Sequence, residues 1–160
     1  MEKENRVIVY TDGASSGNPG RAGVGVLLYS TDKKLIKKIS KFIGITTNNV
    51  AEYMALIYGL EEALYLRAKN VDCFLDSQLL VRQLKGSYKV RDKKLRLFYY
   101  QVNHLKSFFR RISFNYIRRE ENKEADILAK KAIRERGNEV VAGCAKHPEE
   151  SPDSIKKDTG

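Results

Sequence analysis

The sequence predicts an α/β domain: a five-stranded mixed sheet in the order 3-2-1-4-5, flanked by helices on both faces. Three observations lead there. Three apolar segments follow one another at the start with only short polar turns between them, which favours an antiparallel meander. The hydrophobic period then switches from strand-like to helical. Two further short strands follow, each reached through a helical segment. Right-handed crossovers lay such strands parallel to the first, on its free side. The order reverses beside strand 1, and ligands of open α/β sheets gather at such points.

Each element has its own warrant. Residues 6–12 form a continuous apolar run ending at Asp12, which suits a strand buried on both faces. Residues 13–20 are rich in Gly, Ser, Asn and Pro and read as a loop. Residues 22–30 and 34–43 read as the next two strands. Asn49 precedes Glu52 by three, a candidate capping box for a helix carrying Tyr53, Leu56, Leu60 and Leu64 on one face and ending near Lys69. Residues 71–75 form a strand that stops at Asp76, and a helix follows from Ser77 to Lys85. Asp92 caps a long helix with Leu95, Phe98, Val102, Leu105 and Phe109 on one stripe. Residues 112–117 return to a strand. Asn122 opens a last helix that Gly137 is expected to end. Residues 1–136 are read as one folded domain and 137–160 as a flexible, partly acidic tail.

The 160 residues carry a net charge of +10, placed unevenly. Residues 82–119 hold twelve basic side chains against one acid, Asp92. A field that one-sided points to a polyanion, with nucleic acid first. No run of 18 apolar residues offers a membrane span, and the start shows no apolar signal segment. Two cysteines without CxxC spacing argue against a disulfide scaffold or a thiolate zinc site, and the expected compartment is the reducing cytoplasm. Cys73 reads as a buried small residue; a bridge to Cys144 is conceivable but disfavoured there. No glycine-rich fingerprint for dinucleotides or P-loop nucleotides is present.

Four acids differ from the rest by position. Asp12 and Asp76 end neighbouring strands, Glu52 opens one helix, and Asp126 lies in the first turn of another. Each has an ordinary reading as a turn or capping residue. Together they carry an electrostatic cost. Two unit charges about 4 Å apart repel by roughly 4 kcal/mol at an effective dielectric near 20. Convergence therefore calls for cations or raised pKa values. An all-oxygen set suits Mg²⁺ or Mn²⁺. Two such ions, about 3.5–4 Å apart, clamp both oxygens of an in-line phosphoryl displacement.

Four motifs in order resemble the type 1 ribonuclease H family. They are Tyr10-Thr11-Asp12-Gly13-Ala14 with Gly17-Asn18-Pro19-Gly20; Thr46-Thr47-Asn48-Asn49 with Glu52; Asp76-Ser77-Gln78; and Asn122-Lys123-Glu124-Ala125-Asp126-Ile127-Leu128-Ala129. The resemblance covers residues 6–133. It implies a ribonuclease H-like fold and hydrolysis of the RNA strand of an RNA–DNA hybrid, leaving 5′-phosphate and 3′-hydroxyl ends. It implies Asp12, Glu52, Asp76 and Asp126 as catalytic metal ligands for two Mg²⁺, with Mn²⁺ as the alternative. It implies substrate contacts from Gly13, Ser15, Asn18, Thr47, Asn48, Asn49 and Gln78. The basic rim of Lys85, Lys89, Arg91 and Lys94 would add phosphate contacts. Two departures stand out. The loop before Asp126 lacks the histidine of many relatives, leaving Arg118, Arg119 or Glu120 as possible replacements. The basic handle that some relatives insert between the second and third helices is missing. The partner is therefore a hybrid duplex, with no membrane, and the chain is expected to be a monomer. Alternatives are a related nuclease on double-stranded RNA, or a hybrid-binding module with decayed catalysis. Tyr99, Tyr100, Phe108 and Phe109 are read as packing residues.

Overall fold

The computed structural model describes residues 5–146, and side chains as far as Arg136. Strands β1 (Arg6–Ser15), β2 (Gly20–Ser30) and β3 (Leu35–Thr46) form the meander. Helix α1 (Asn48–Tyr65), β4 (Asn70–Leu75), α2 (Gln78–Leu84), α3 (Lys93–Lys106), β5 (Arg111–Tyr116) and α4 (Lys123–Lys146) follow. The sheet order is β3-β2-β1-β4-β5. β1–β2 and β2–β3 are antiparallel, while β1–β4 and β4–β5 are parallel, as the connection lengths predict.

The two helix layers are visible in the glycines. A β-carbon on Gly25 of β2 would stand 2.0 Å from the Ala125 carbonyl oxygen of α4. Gly59 of α1 faces Val9, Thr11 and Val26, so the next residue of β2 points to the opposite helix. Val9, Val26, Leu28, Tyr53, Leu56, Leu60, Val71, Cys73 and Val102 fill the core between sheet, α1 and α3. Cys73 is buried as expected, and its thiol is free. Cys144, and the expected tail over 147–160, lie outside the described side chains and residues.

Several boundaries differ from expectation for physical reasons. Residues 13–15 are strand, not loop, because they keep pairing with β2 as far as Ser15 opposite Ala22. Likewise, β3 runs on to Thr46, opposite Gly20. Helix α1 begins two residues earlier than an Asn49 cap would set it. Thr47 caps it, its hydroxyl accepting from the Val50 amide at 3.3 Å. It ends at Tyr65 rather than Lys69, with Arg67 in the left-handed region (φ 61°) and no glycine to announce the stop. Gly137 does not end α4, which continues to Lys146. An interior glycine costs only about 1 kcal/mol relative to alanine, and no proline follows until Pro148. Phe109 is buried and Tyr99 partly so, but Tyr100 and Phe108 are exposed. The reason is that α3 packs chiefly on α1, so its stripe of Leu95, Phe98, Val102 and Leu105 is covered together with part of Tyr99, while Tyr100 faces out.

Candidate active site

The parallel pairing of β1 with β4 stops at Thr11 opposite Leu75. Asp12 and Asp76 are the next residues on each chain, so they stand side by side at the carboxyl end of the sheet. Asp12 remains inside β1, because that strand goes on pairing with β2. Glu52 arrives from α1. It is the fifth helical residue after the Thr47 cap, too far in for a capping-box acid. What holds it near the sheet is Gly13. A β-carbon there would stand 2.2 Å from the Ala51 carbonyl carbon and 2.4 Å from the Glu52 nitrogen. The absent side chain lets the α1 backbone touch the strand.

Asp12, Glu52 and Asp76 each offer a carboxylate oxygen within 4.8 Å of the others. Asp12 is 8% exposed and Glu52 9%. Asp126 lies outside this trio but close enough to act on Asp12, and its carboxylate pairs with Lys130 at 3.0 Å. Burial, the charge of Asp76, the neighbouring Asp126 carboxyl and the charge of Glu52 push the Asp12 carboxyl up to about 9. Burial and Asp76 likewise push Glu52 up to about 7, against a hydrogen bond from Ser77 and the charge of Arg119. Carboxyls raised in this way are short of positive charge.

The donor set fits hard divalent cations. It is all oxygen, with no imidazole or thiolate beside it among the described residues. Thr11, which lines the pocket of the three acids, has a buried Oγ1 without a hydrogen-bond partner, and so has Asn122, whose amide nitrogen bonds Asp76, at its Oδ1. Polar groups and water around a cation would satisfy such atoms.

Other expected residues frame this edge. The hairpin between β1 and β2 carries Ser15 and Asn18, and the Asn18 Oδ1 accepts from the Asn48 amide at 3.0 Å. That bond ties the hairpin to the start of α1, where Thr47, Asn48 and Asn49 are partly exposed. Gln78, exposed, opens α2 behind its cap Ser77. Lys85, Lys89, Arg91 and Lys94 lie exposed along the α2–α3 connection and first turn of α3 and are not among the residues of the acid cluster. Of the three candidates in the 118–120 loop, Arg118 pairs with Glu121 at 3.5 Å and Glu120 at 3.9 Å. Arg119 is the one whose charge reaches Glu52. Sequence reasoning did not single out Ser77 or Asn122 as site residues. Asn122 Nδ2 donates to the Thr11 carbonyl at 2.9 Å and to Asp76 Oδ2 at 3.0 Å.

Residues 10–132 match the family model described as reverse transcriptase-like. The Halobacterium salinarum RNase H1 crystal structure superposes with a TM-score of 0.80 at 39% identity, covering 81% of this chain and 98% of that one. The chain belongs to the ribonuclease H family. A second ribonuclease H structure, LC11-RNase H1 in complex with an RNA/DNA hybrid, matches at TM-score 0.77 and 39% identity over 81% and 98% of the two chains. Among curated relatives, the bifunctional protein Rv2228c of Mycobacterium tuberculosis is 42% identical over 129 residues, which is 80% of this chain and 35% of that protein. The chain thus spans about a third of the length of that curated relative. Ribonuclease HI of Halobacterium salinarum is 39% identical over 132 residues, 82% of this chain and 66% of its own. The fold and strand order expected for a ribonuclease H are the ones observed.

Proposed function

We propose that this chain hydrolyses the RNA strand of RNA–DNA hybrids with two divalent cations, Mg²⁺ first and Mn²⁺ as the alternative. The observation that carries the reading is the convergence of Asp12, Glu52 and Asp76 within 4.8 Å, with Asp126 near enough to act on Asp12, at an edge framed by the hairpin and two helix starts. A module with decayed catalysis has no need to keep four carboxyls together against their repulsion.

The four acids would hold the cations. When bound, the cations supply Lewis acidity toward the scissile phosphate and favour deprotonation of the attacking water. The chain's own residues do the rest. The hairpin with Ser15 and Asn18 lies along the hybrid's minor groove. Thr47, Asn48, Asn49 and Gln78 hold the DNA strand and neighbouring base edges. Glu52 stands where a ribose 2′-hydroxyl donates to it, which selects RNA. Lys85, Lys89, Arg91 and Lys94 attract phosphates by releasing counterions. Water attacks phosphorus in line, the P–O3′ bond breaks, and the products end in 5′-phosphate and 3′-hydroxyl. Arg119, whose charge reaches Glu52, is the residue of the 118–120 loop best placed to serve in place of a histidine. The working form is a monomer in the cytoplasm, and no described helix is long and apolar enough to cross a membrane.

A labelled hybrid incubated with micromolar protein and Mg²⁺ or Mn²⁺ tests the reading. Short RNA products with those ends are expected, together with intact DNA. Intact RNA with either metal overturns it, and faster cutting of double-stranded RNA reassigns the substrate.

A further inference from the structure

We infer that Asn122 is a positioning residue that sets the spacing of the three aspartates, acting through Asp76 and the end of β1 without touching substrate. The inference rests on the metal-dependent reading of the site.

Asn122 stands just before α4, where an asparagine ordinarily turns its side-chain oxygen back to cap its own helix. Here the side chain does something else. It is 2% exposed, and its oxygen has no hydrogen-bond partner. Its amide nitrogen turns away from the helix toward two strands, donating one proton to the Thr11 carbonyl at 2.9 Å and the other to Asp76 Oδ2 at 3.0 Å. A flipped amide would set its oxygen against two acceptors, so the assignment follows from the partners. The main-chain carbonyl of Asn122 accepts from the Asp126 amide at 3.2 Å.

Each aspartate is therefore one step from this residue. Asp76 is held directly by the side chain and Asp12 is peptide-bonded to the Thr11 whose carbonyl is held, while Asp126 is joined only through the main-chain bond of the first helical turn. The N–H donor to a carboxylate is charge-assisted and fixes which oxygen faces the cluster. A buried amide oxygen left without a partner is destabilising. A stability role alone would favour a side chain that caps the helix and leaves nothing orphaned. The arrangement instead fits a residue whose two donors matter more than its acceptor.

The test uses the full chain with Asn122→Ala and the similar-volume Asn122→Leu. Three quantities are read: substrate-free Mn²⁺ affinity by calorimetry, the thermal midpoint, and kcat and KM on a hybrid well below that midpoint. The expected result is about a tenfold or greater loss in both Mn²⁺ affinity and kcat, with KM for hybrid within about threefold. Folded variants whose Mn²⁺ affinity and kcat stay within about twofold of the parent overturn the inference. So does failure of both variants to fold, since Asn122 is then scaffold. A parent chain that neither binds Mn²⁺ nor cuts hybrid brings down the functional reading, and this inference with it. An active parent with unaffected variants brings down the inference alone.

Discussion

Asp12 and Asp76 occupy equivalent positions on adjacent parallel strands, each one residue beyond the last pair, Thr11 with Leu75. Sheet pairing itself brings them together, and α1 adds Glu52 to the same place. Folding thus assembles like charges that the unfolded chain keeps apart. Replacing Asp12 by Asn removes one of them while keeping its shape. Asp12→Asn is expected to abolish cleavage and to leave the metal-free thermal midpoint unchanged or higher. A large drop in that midpoint, read with chelator present, would make Asp12 a structural residue instead.

The same repulsion gives the metal-free protein a pH dependence. Asp12 is raised from 3.8 to about 9 and Glu52 from 4.5 to about 7. The folded state therefore holds protons that the unfolded state has released. The stability from these groups is fully present below about pH 4 and falls as pH rises through 7 and on to 9. Thermal unfolding in chelator at pH 5, 7 and 9 should show the parent losing more over this range than Asp12→Asn. Saturating Mg²⁺ should flatten the parent's curve. Parallel curves for parent and variant would contradict the raised carboxyl.

Gly13 and Gly25 each let a helix backbone sit where a methyl group would stand. A β-carbon on Gly13 would meet Ala51, and one on Gly25 would meet Ala125. Glu52 and Asp126 are the residues next to those two alanines. Gly13→Ala and Gly25→Ala are expected to cost about 1–3 kcal/mol or more. Each should also lower kcat at temperatures where the variant is fully folded, because an acid moves with its helix. Denaturant unfolding and steady-state kinetics together check this; lost stability with untouched kcat would separate packing from the site.

A buried contact that none of the acids makes offers the reverse case. The Tyr53 hydroxyl donates to Gln83 Oε1 at 2.6 Å, joining α1 to α2. Tyr53→Phe strands a buried acceptor and is expected to cost about 1–3 kcal/mol. Cleavage at low temperature should stay near the parent's. A matching collapse of kcat would show that the α1–α2 contact also steers Glu52.

The basic rim should act on binding and leave chemistry alone. Neutralising Lys89, Arg91 and Lys94 together is expected to raise KM for hybrid. It should also reduce the slope of log affinity against log salt by about one for each phosphate left without its cation. Turnover should be nearly preserved. Kinetics across a salt series distinguishes this from a fall in kcat alone.

Much of this was legible in the chain because topology rests on coarse signals. Short polar turns mark a meander, and helical segments before β4 and β5 mark crossovers, so the strand order and the meeting of Asp12 with Asp76 follow. Finer matters turned on which of two plausible neighbours wins. Thr47 and Asn49 both make good caps, and the choice of Thr47 moves Glu52 out of the capping position. Asn122 reads as a cap in any sequence, and only the strands beside it show that its amide faces the other way. Gly137 looks like a stop, yet the next residues tolerate a helix and carry α4 on. Tyr100 and Phe108 looked like core because a helical stripe does not reveal how wide its partner surface is.

The bond from Asn18 to the Asn48 amide has a consequence for how a duplex is admitted. It latches the hairpin tip to the first turn of α1, so the part proposed to read one strand and the part proposed to grip the other are a single jaw. A bound duplex would be measured across its width by a gauge already set, and a helix of different groove width would miss one contact whenever it made the other.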